Sequence, residues 1–169
     1  MSKLFLVMGI PGAGKSTYIK KVMGENDLYV SRDEIRFSLV AENEEYFSKE
    51  DEVFNQFVAT IDEGLKENLT VWADATHLNE KARLKLLNAL SETPDILDVV
   101  WIKTDLETAL RQNDLRQGTR AFVPHSVIRR MYAQMRKPKF HEGKFTINTI
   151  FVKEPNHVIK IYQEGDEIE

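Results

Sequence analysis

The sequence predicts an α/β fold in which helices cover both faces of a mainly parallel sheet. Two observations predict it. Short apolar runs alternate with amphipathic helical patterns along most of the chain. The first run, Leu4 to Met8, leads into a glycine-rich turn and then a helical pattern. At 169 residues, with no internal repeat or linker-like tract, we expect one domain, residues 1–169.

The elements follow one another in that alternation. Polar residues that suit a helix N-cap stand before several helical patterns: Ser31, Ser48, Asn79 and Thr104. Pro124 suits the first turn of a later helix. Strands are predicted over about 3–8, 28–30, 69–73 and 96–102. Helical segments are predicted over about 15–23, 32–39, 48–65, 79–90 and 104–115, and from 124 onward.

The last part of the chain is β-rich. Residues 145–162 hold two β-rich runs around Glu154-Pro155-Asn156, which predicts a strand or a hairpin. We expect this tail to complete the sheet or to form an assembly surface of a homo-oligomer. The acidic residues 163–169 are expected to fray.

Composition limits the classes of protein that the chain can represent. It has no cysteine, so disulfides and thiolate metal sites are excluded. No apolar run approaches 18 residues, and Met1-Ser2-Lys3 leads directly into a strand, so we expect a soluble cytoplasmic protein without membrane contact. The formal net charge is −4, but nine basic residues and only two acidic ones lie between Arg111 and Lys144. That block is the favoured face for an anionic ligand, or else a solvated surface.

One motif dominates the first helix. Residues 9–16 read G-x-x-x-x-G-K-S between a strand and a helix, the pattern of a loop whose backbone N–H groups cradle phosphates. We therefore predict ATP and Mg²⁺ as ligands, with Lys15 on the phosphates and Ser16 on the metal, in a sheet of the P-loop NTPase type. The alternative is a glycine-rich turn with a surface lysine. The predicted nucleotide-binding residues of the loop are Gly9, Pro11, Gly12, Ala13, Gly14, Lys15, Ser16 and Thr17.

The end of the second strand carries a charged segment. Parallel sheets bind ligands beyond the carboxyl ends of their strands, so Asp33 is placed to act as a general base opposite Lys15. Its alternative is a carboxylate that stabilises the helix dipole. Arg36, one turn later, could hold an acceptor phosphate or form a salt bridge with Asp33 or Glu34.

The third strand ends at Asp74, a charged residue after an apolar run. It could bind metal through water or hold Arg36. In the segment that follows, Thr76 is a predicted substrate contact, and His77 is expected to be a hydrogen-bonded loop residue.

An arginine-rich segment begins before residues 118–123, which interrupt the helical pattern. Residues of about 116–124 are predicted to form a lid whose arginines, Arg116 and Arg120, stabilise charge on a transferred phosphoryl group. The alternative is an exposed helix end with arginines near its carbonyl groups.

Together these four blocks resemble the kinase domain of bacteriophage-type polynucleotide 5′-hydroxyl kinases, as far as about residue 138. The blocks that carry the resemblance are residues 9–17, 32–36, 74–79 and 116–135, the last with Gly118-Thr119-Arg120-Ala121, Val123-Pro124 and Val127 to Tyr132. The resemblance implies that Lys15 and Ser16 hold phosphate and Mg²⁺ and that Asp33 takes the proton of the 5′-hydroxyl. It also implies that Arg36 contacts the next phosphate, that Asp74 is a second essential carboxylate, and that Arg116 acts on the donor phosphates.

The resemblance has two departures. Gln117 separates Arg116 from Gly118, where some relatives have the arginine directly before the glycine, and the D-x-D motif of the 3′-phosphatase domain found in bifunctional members is missing. The expected function is therefore Mg²⁺-dependent transfer of the ATP γ-phosphate to the 5′-hydroxyl end of DNA or RNA, in nucleic acid end repair, without 3′-phosphatase activity. If the chain is phage-encoded, its place is the host cytoplasm. The alternatives are a small-metabolite or nucleoside kinase and a nucleotide-binding module without turnover.

Overall fold

The computed structural model describes residues 1–154 and 157–162. The expected fraying of 163–169 and the turn at Pro155-Asn156 lie outside those residues. The strands are β1 (Lys3–Met8), β2 (Leu28–Ser31), β3 (Thr70–Asp74), β4 (Ile96–Ile102), β5 (His141–Glu142), β6 (Phe145–Thr146), β7 (Asn148–Glu154) and β8 (His157–Tyr162). The helices are α1 (Lys15–Val22), α2 (Arg32–Leu39), α3 (Glu50–Lys66), α4 (Glu80–Ala89), α5 (Leu106–Asp114) and α6 (His125–Gln134).

The main sheet has the order β2-β3-β1-β4-β7-β8. The first five of these strands are parallel, and β8 pairs with β7 in the antiparallel direction. The α/β prediction is therefore confirmed, and the β-rich tail extends the sheet beside β4. The register pairs Asp74 with Val7 on one side and with Ser31 on the other. The carboxyl ends of three neighbouring strands thus lie level at one edge.

Helices cover both faces of this sheet. Successive residues of a strand point to opposite faces, so Leu4 and Leu6 enter one core while Phe5 and Val7 enter the other. The first core is closed by apolar residues of α3 and α4, and the second by residues of α1, α5 and α6. Within the second core, the rings of Phe5 and Trp72 stack at a centroid distance of 3.9 Å.

Two predicted N-caps are wrong and two are confirmed. Ser31 accepts a hydrogen bond from Glu34 N, and Asn79 accepts one from Ala82 N. Helix α3 begins only at Glu50, because residue 48 belongs to a preceding turn in which Ser48 N–H donates to Glu45 O. Helix α5 is capped by Asp105, which accepts from Thr108 N, because the neighbouring Thr104 hydroxyl donates to Ala13 O.

A buried ion pair holds the small β5–β6 hairpin against the domain. The side chains of Arg83 and Glu142 are fully buried, and Nε and Nη2 of Arg83 each donate a 2.7 Å hydrogen bond to a carboxylate oxygen of Glu142. Arg83 also donates to the carbonyls of His77 and Arg136, so it joins α4, the segment after β3 and the end of α6. None of the helices that the structure describes is long and apolar enough to span a membrane.

Candidate active site

The glycine-rich loop connects β1 to the first turn of α1. Gly12 and Gly14 have φ values of 84° and 97°, in the left-handed region that favours glycine. A Cβ atom on Gly12 would lie 2.2 Å from the carbonyl oxygen of Ala109, in α5. The loop conformation is therefore fixed by packing against α5 as well as by the backbone angles. The N–H groups at the start of α1 remain available to an anion.

Lys15 lies over this loop. Its Nζ donates to the carbonyls of Gly9 and Ile10, at 3.0 and 3.1 Å. Burial lowers the pKa of Lys15, Asp74 and Asp33 oppose that shift, and Arg116 adds to it. Asp74, Asp33 and Arg116 therefore lie near enough to Lys15 to change the pKa of its ammonium group. The phosphate loop and these residues face the same part of the structure.

Asp74 is buried at the end of β3. Its Oδ2 accepts a 2.6 Å hydrogen bond from the hydroxyl of Tyr29, in β2. Burial raises the pKa of Asp74, while Lys15 and the Tyr29 hydrogen bond oppose the rise. The next segment is tied to the phosphate loop, because Gly9 N–H donates to the carbonyl of Thr76 at 3.2 Å. For Thr76, the group that the structure places at the loop is thus the backbone carbonyl.

Helix α2 carries the predicted base in its first turn. The Asp33 side chain is 64% exposed, and its Oδ1 accepts a 2.6 Å hydrogen bond from Arg36 Nη1. The salt-bridge alternative for Arg36 is therefore present in the structure. It does not remove Asp33 from the site, because an exposed carboxylate paired on one oxygen can still accept a proton on the other.

Arg36 is held mainly by a residue that the sequence did not single out. Its Nε and Nη2 donate to the two carboxylate oxygens of Glu50, at 2.6 and 3.0 Å, in a bidentate pair. Burial opposes the charge of Arg36, but the hydrogen bond to Glu50 raises the pKa of the guanidinium above its ordinary value. Only Nη1 is directed to Asp33, and it also contacts the hydroxyl of Tyr46 at 3.2 Å. Because Nε and Nη2 are paired with Glu50, an acceptor phosphate would have to bind Arg36 through Nη1.

The side chain of Asn113, in α5, joins the two ends of the predicted lid segment. The Asn113 side chain donates to Val123 O at 2.7 Å and accepts from Val123 N at 2.9 Å. Arg116 is partly buried and acts on the charge of Lys15, as described above. Arg120 lies elsewhere: it donates to the carbonyls of Phe37 and Val40, at the end of α2. Arg120 is therefore bonded to the end of α2, whereas Arg116 lies close enough to Lys15 to act on its charge.

His77 is buried in the segment after β3. Its Nε2 lies 3.0 Å from Ala73 O, which fixes the tautomer that donates there. Burial lowers the pKa of His77 to about 3. It is a hydrogen-bonded loop residue, as the sequence indicated, and its ring is neutral near neutral pH.

Residues 4–138 match a family model described as an AAA domain. The chain belongs to this family. The match extends from β1 through α6, and so covers the phosphate loop, both other strand ends and the lid. This AAA domain is a P-loop kinase-like domain with a nucleotide-binding loop.

Three solved structures resemble the AAA domain in fold. A chain of the Pnkp1/Rnl/Hen1 RNA repair complex is 25% identical with a TM-score of 0.68, over 79% of this chain and 44% of that one. A gluconokinase from Sinorhizobium meliloti 1021 is 19% identical with a TM-score of 0.58, over 90% and 84%. Chaetomium thermophilum Kti12, in complex with ADP-AlF3, is 16% identical with a TM-score of 0.59, over 90% and 89%. The AAA domain thus spans less than half of the RNA repair chain, and the last two likenesses concern the fold alone.

The arrangement fits a nucleotide with Mg²⁺. Among the residues that the structure describes, no group of three or more metal-ligating side chains is arranged to hold an ion. Mg²⁺ in kinase sites needs few protein ligands, because substrate phosphates and water supply the rest. Ser16 follows Lys15 in the first turn of α1 and is partly exposed, so it can provide the one hydroxyl that this mode of binding requires.

Proposed function

We propose that this AAA domain transfers the γ-phosphate of ATP to the 5′-hydroxyl end of DNA or RNA. The observation that carries the proposal is the register of the sheet, which sets the phosphate loop after β1 level with Asp74 at the end of β3 and with the end of β2, from which α2 and Asp33 follow. The charges of Asp74, Asp33 and Arg116 act on Lys15 in agreement with this arrangement. A cation on the phosphate loop, a carboxylate on the acceptor side and an arginine on the lid are the parts that phosphoryl transfer requires.

Each group has a role in the proposed reaction. Asp33 accepts the proton of the attacking hydroxyl, and that oxygen forms its bond to the γ-phosphorus as the bond to the β-phosphate oxygen breaks. Lys15 and Arg116 stabilise the negative charge on the transferred and leaving oxygens. Ser16 would hold Mg²⁺, which supplies further positive charge at the phosphates. Asp74 stabilises the positive charge of Lys15, and the hydrogen bond from the Tyr29 hydroxyl fixes the position of the Asp74 carboxylate.

Two observations favour a nucleic acid end as the acceptor. The chain of the RNA repair complex is the most identical of the three comparison structures, at 25%. In addition, the exposed carboxylate of Asp33, the proposed base, is paired with Arg36 through Nη1 of the guanidinium. A phosphate next to the 5′-terminal nucleotide can replace Asp33 at Nη1, because guanidinium groups bind phosphate and carboxylate oxygens in the same geometry.

A specific observation favours a second candidate, a small-molecule kinase. The cations of α2 are already compensated within the protein, since Glu50 pairs with both Arg32 and Arg36. A polyanion depends on uncompensated cations for strong binding, whereas a small acceptor with few charges does not. The gluconokinase and a sugar kinase from Janibacter, which is 16% identical with a TM-score of 0.61, have the same fold.

An acceptor panel separates these functions. Labelled ATP and Mg²⁺ are supplied with a 5′-hydroxyl oligodeoxynucleotide, the matching oligoribonucleotide, a free nucleoside, or gluconate. We expect transfer to the oligonucleotides at a kcat/KM at least tenfold above that for the nucleoside, which lacks a 3′ phosphate for Arg36. Preference for the nucleoside or gluconate would establish the second candidate. No transfer to any acceptor would leave a nucleotide-binding module without turnover.

A further inference from the structure

Two aromatic residues lie beside the predicted base. The Tyr46 hydroxyl is 3.3 Å from Asp33 Oδ1 and 3.2 Å from Arg36 Nη1. The Tyr46 ring meets the ring of Phe47 edge to face, at a centroid distance of 4.7 Å. Phe47 is 53% exposed, one of the few large apolar side chains at the surface of the described residues. An exposed aromatic ring is therefore connected to the Asp33 carboxylate through one tyrosine.

The two rings are held by the cation that also holds Asp33. The guanidinium carbon of Arg36 is 4.8 Å from the centroid of Tyr46 and 5.5 Å from that of Phe47, within the range of cation–π contacts. Tyr46 also packs edge to face against Phe37, at 6.2 Å. Because Glu50 fixes Arg36 in a bidentate pair, the orientation of the rings relative to Asp33 is fixed too.

We propose that Tyr46 and Phe47 form a stacking surface for the base of the 5′-terminal nucleotide of the acceptor. This inference rests on the proposed function and adds to it a contact that selects nucleotide ends. Asp33 receives its proton from the 5′-oxygen, and the base of the same nucleotide is separated from that oxygen only by the ribose. An acceptor in position for transfer therefore has its base within reach of the rings that flank Asp33. Every base has a flat face that can stack on an aromatic side chain, so such a surface accepts many sequences.

The charge around the rings limits what they can bind. Exposed acidic residues precede them at positions 42, 44 and 45, and Glu44 pairs with Lys49 at 3.5 Å and accepts a hydrogen bond from Ala41 N–H at 3.1 Å. Carboxylates at this place disfavour a series of phosphates. They do not disfavour an uncharged base. The surface is thus suited to the terminal base, while the phosphates beyond the first one, which Arg36 binds, must leave in another direction.

The test compares two oligonucleotides that differ only in their first nucleotide, which is normal in one and abasic in the other. Both have the same charge and the same 5′-hydroxyl. For the unmodified protein we expect kcat/KM to be about five- to hundredfold higher for the normal end, the range that base stacking on an aromatic residue supplies. Phe47→Ala should reduce this ratio to near one while the KM for ATP stays the same, whereas Phe47→Trp should keep it.

Val22→Ala is the matched control, since Val22 is also an exposed apolar residue but lies at the end of α1. It should leave the ratio unchanged. Equal rates on the two ends for the unmodified protein, or a full preference in Phe47→Ala, would overturn the stacking surface while the kinase proposal stands. Absence of transfer to either end would overturn both.

Discussion

The hydroxyl of Tyr29 donates a 2.6 Å hydrogen bond to Oδ2 of Asp74, across the first two strands of the sheet. Burial and the neighbouring Asp74 charge raise the pKa of Tyr29, so the phenol keeps its proton and remains a donor. The hydrogen bond occupies Oδ2 of Asp74, and because the carboxylate is planar and held there, the direction of Oδ1 is set as well. Since Asp74 acts on Lys15, a residue of β2 positions a charge at the phosphate loop.

Tyr29→Phe should lower the turnover number by about ten- to hundredfold, because a hydrogen bond to a charged group contributes about 1.5–3 kcal/mol. The measurement is steady-state transfer from ATP, with kcat and the KM for ATP determined separately. Tyr18→Phe is the control, because it removes the same hydroxyl from a buried tyrosine that packs edge to face on Trp72, at 6.5 Å. Equal kcat values for the two variants would show that the Tyr29 hydroxyl does not position Asp74.

Gly12→Ala should abolish nucleotide binding, because its Cβ would overlap the carbonyl of Ala109. Gly118→Ala is a matched control: the φ values of the two glycines are 84° and 83°, but no atom lies within 4 Å of a Cβ on Gly118. The strain of the left-handed backbone, about 1 kcal/mol, is common to both variants. Nucleotide binding measured by calorimetry should therefore be lost only in Gly12→Ala. Retention of affinity there would mean that the loop can move away from α5.

The order of elements, the use of both sheet faces and the phosphate loop could all be predicted from the sequence. These properties depend on residues that are close in the chain, such as the alternation of Leu4, Phe5, Leu6 and Val7. Two N-caps were wrong: Ser48 lies in a local turn with Glu45, whereas the Thr104 hydroxyl donates to Ala13 O, 91 positions away in the chain.

The short-range pair of Asp33 and Arg36 was among the predicted alternatives, but the long-range partners of the site residues could not be predicted, because they depend on the order of strands and on packing. Tyr29 reaches Asp74 only because β2 lies next to β3. The contact of Arg120 with the end of α2 joins residues about 80 positions apart in the chain. Glu50 is one of three acidic residues in the first turn of α3, and nothing local distinguishes it as the partner of Arg36.

The buried pair of Arg83 and Glu142 should be costly to break on one side only. Arg83→Met leaves the Glu142 carboxylate buried without compensation, so the free energy of unfolding should fall by about 3–5 kcal/mol. The double variant Arg83→Met, Glu142→Leu should recover a large part of that loss, because no charge is left unpaired. Urea unfolding of the three proteins gives these values.

Glu80→Gln is the control for this pair, since Glu80 joins Lys139 in an exposed ion pair of 3.1 Å between the same two parts of the chain. Exposed pairs contribute about 0–1 kcal/mol, so this variant should remain close to the unmodified protein. A double variant as unstable as Arg83→Met would show that the guanidinium hydrogen bonds to His77 and Arg136 carry the stability instead of the ion pair.

Acid should weaken the fold through His77. Well above pH 6.5 the imidazole is neutral in both the folded and unfolded states, so it contributes no pH dependence there. Below that value the unfolded chain binds a proton that the folded protein rejects, because burial lowers the pKa of His77 to about 3. The stability should therefore fall by about 1.4 kcal/mol per pH unit from this group between pH 6 and 4.

His77→Asn removes the titrating group and suits the positive φ of 46°. Free energies of unfolding from urea titrations at pH 6, 5 and 4 should depend less steeply on pH in the variant, by the amount that corresponds to about one proton. Parallel slopes for the two proteins would mean that His77 binds its proton equally well in the folded state.

The account depends most on the placement of Asp33 as the base opposite Lys15, and the direct measurement is labelled phosphate transfer to a 5′-hydroxyl oligonucleotide by Asp33→Asn. Asparagine keeps the size of the side chain and a hydrogen-bond acceptor for Arg36, but it cannot take a proton. We expect transfer to fall by roughly 10²–10⁴-fold while the affinity for ATP, measured by calorimetry, changes little. Transfer at the unmodified rate, with the same ATP affinity, would contradict the proposed mechanism.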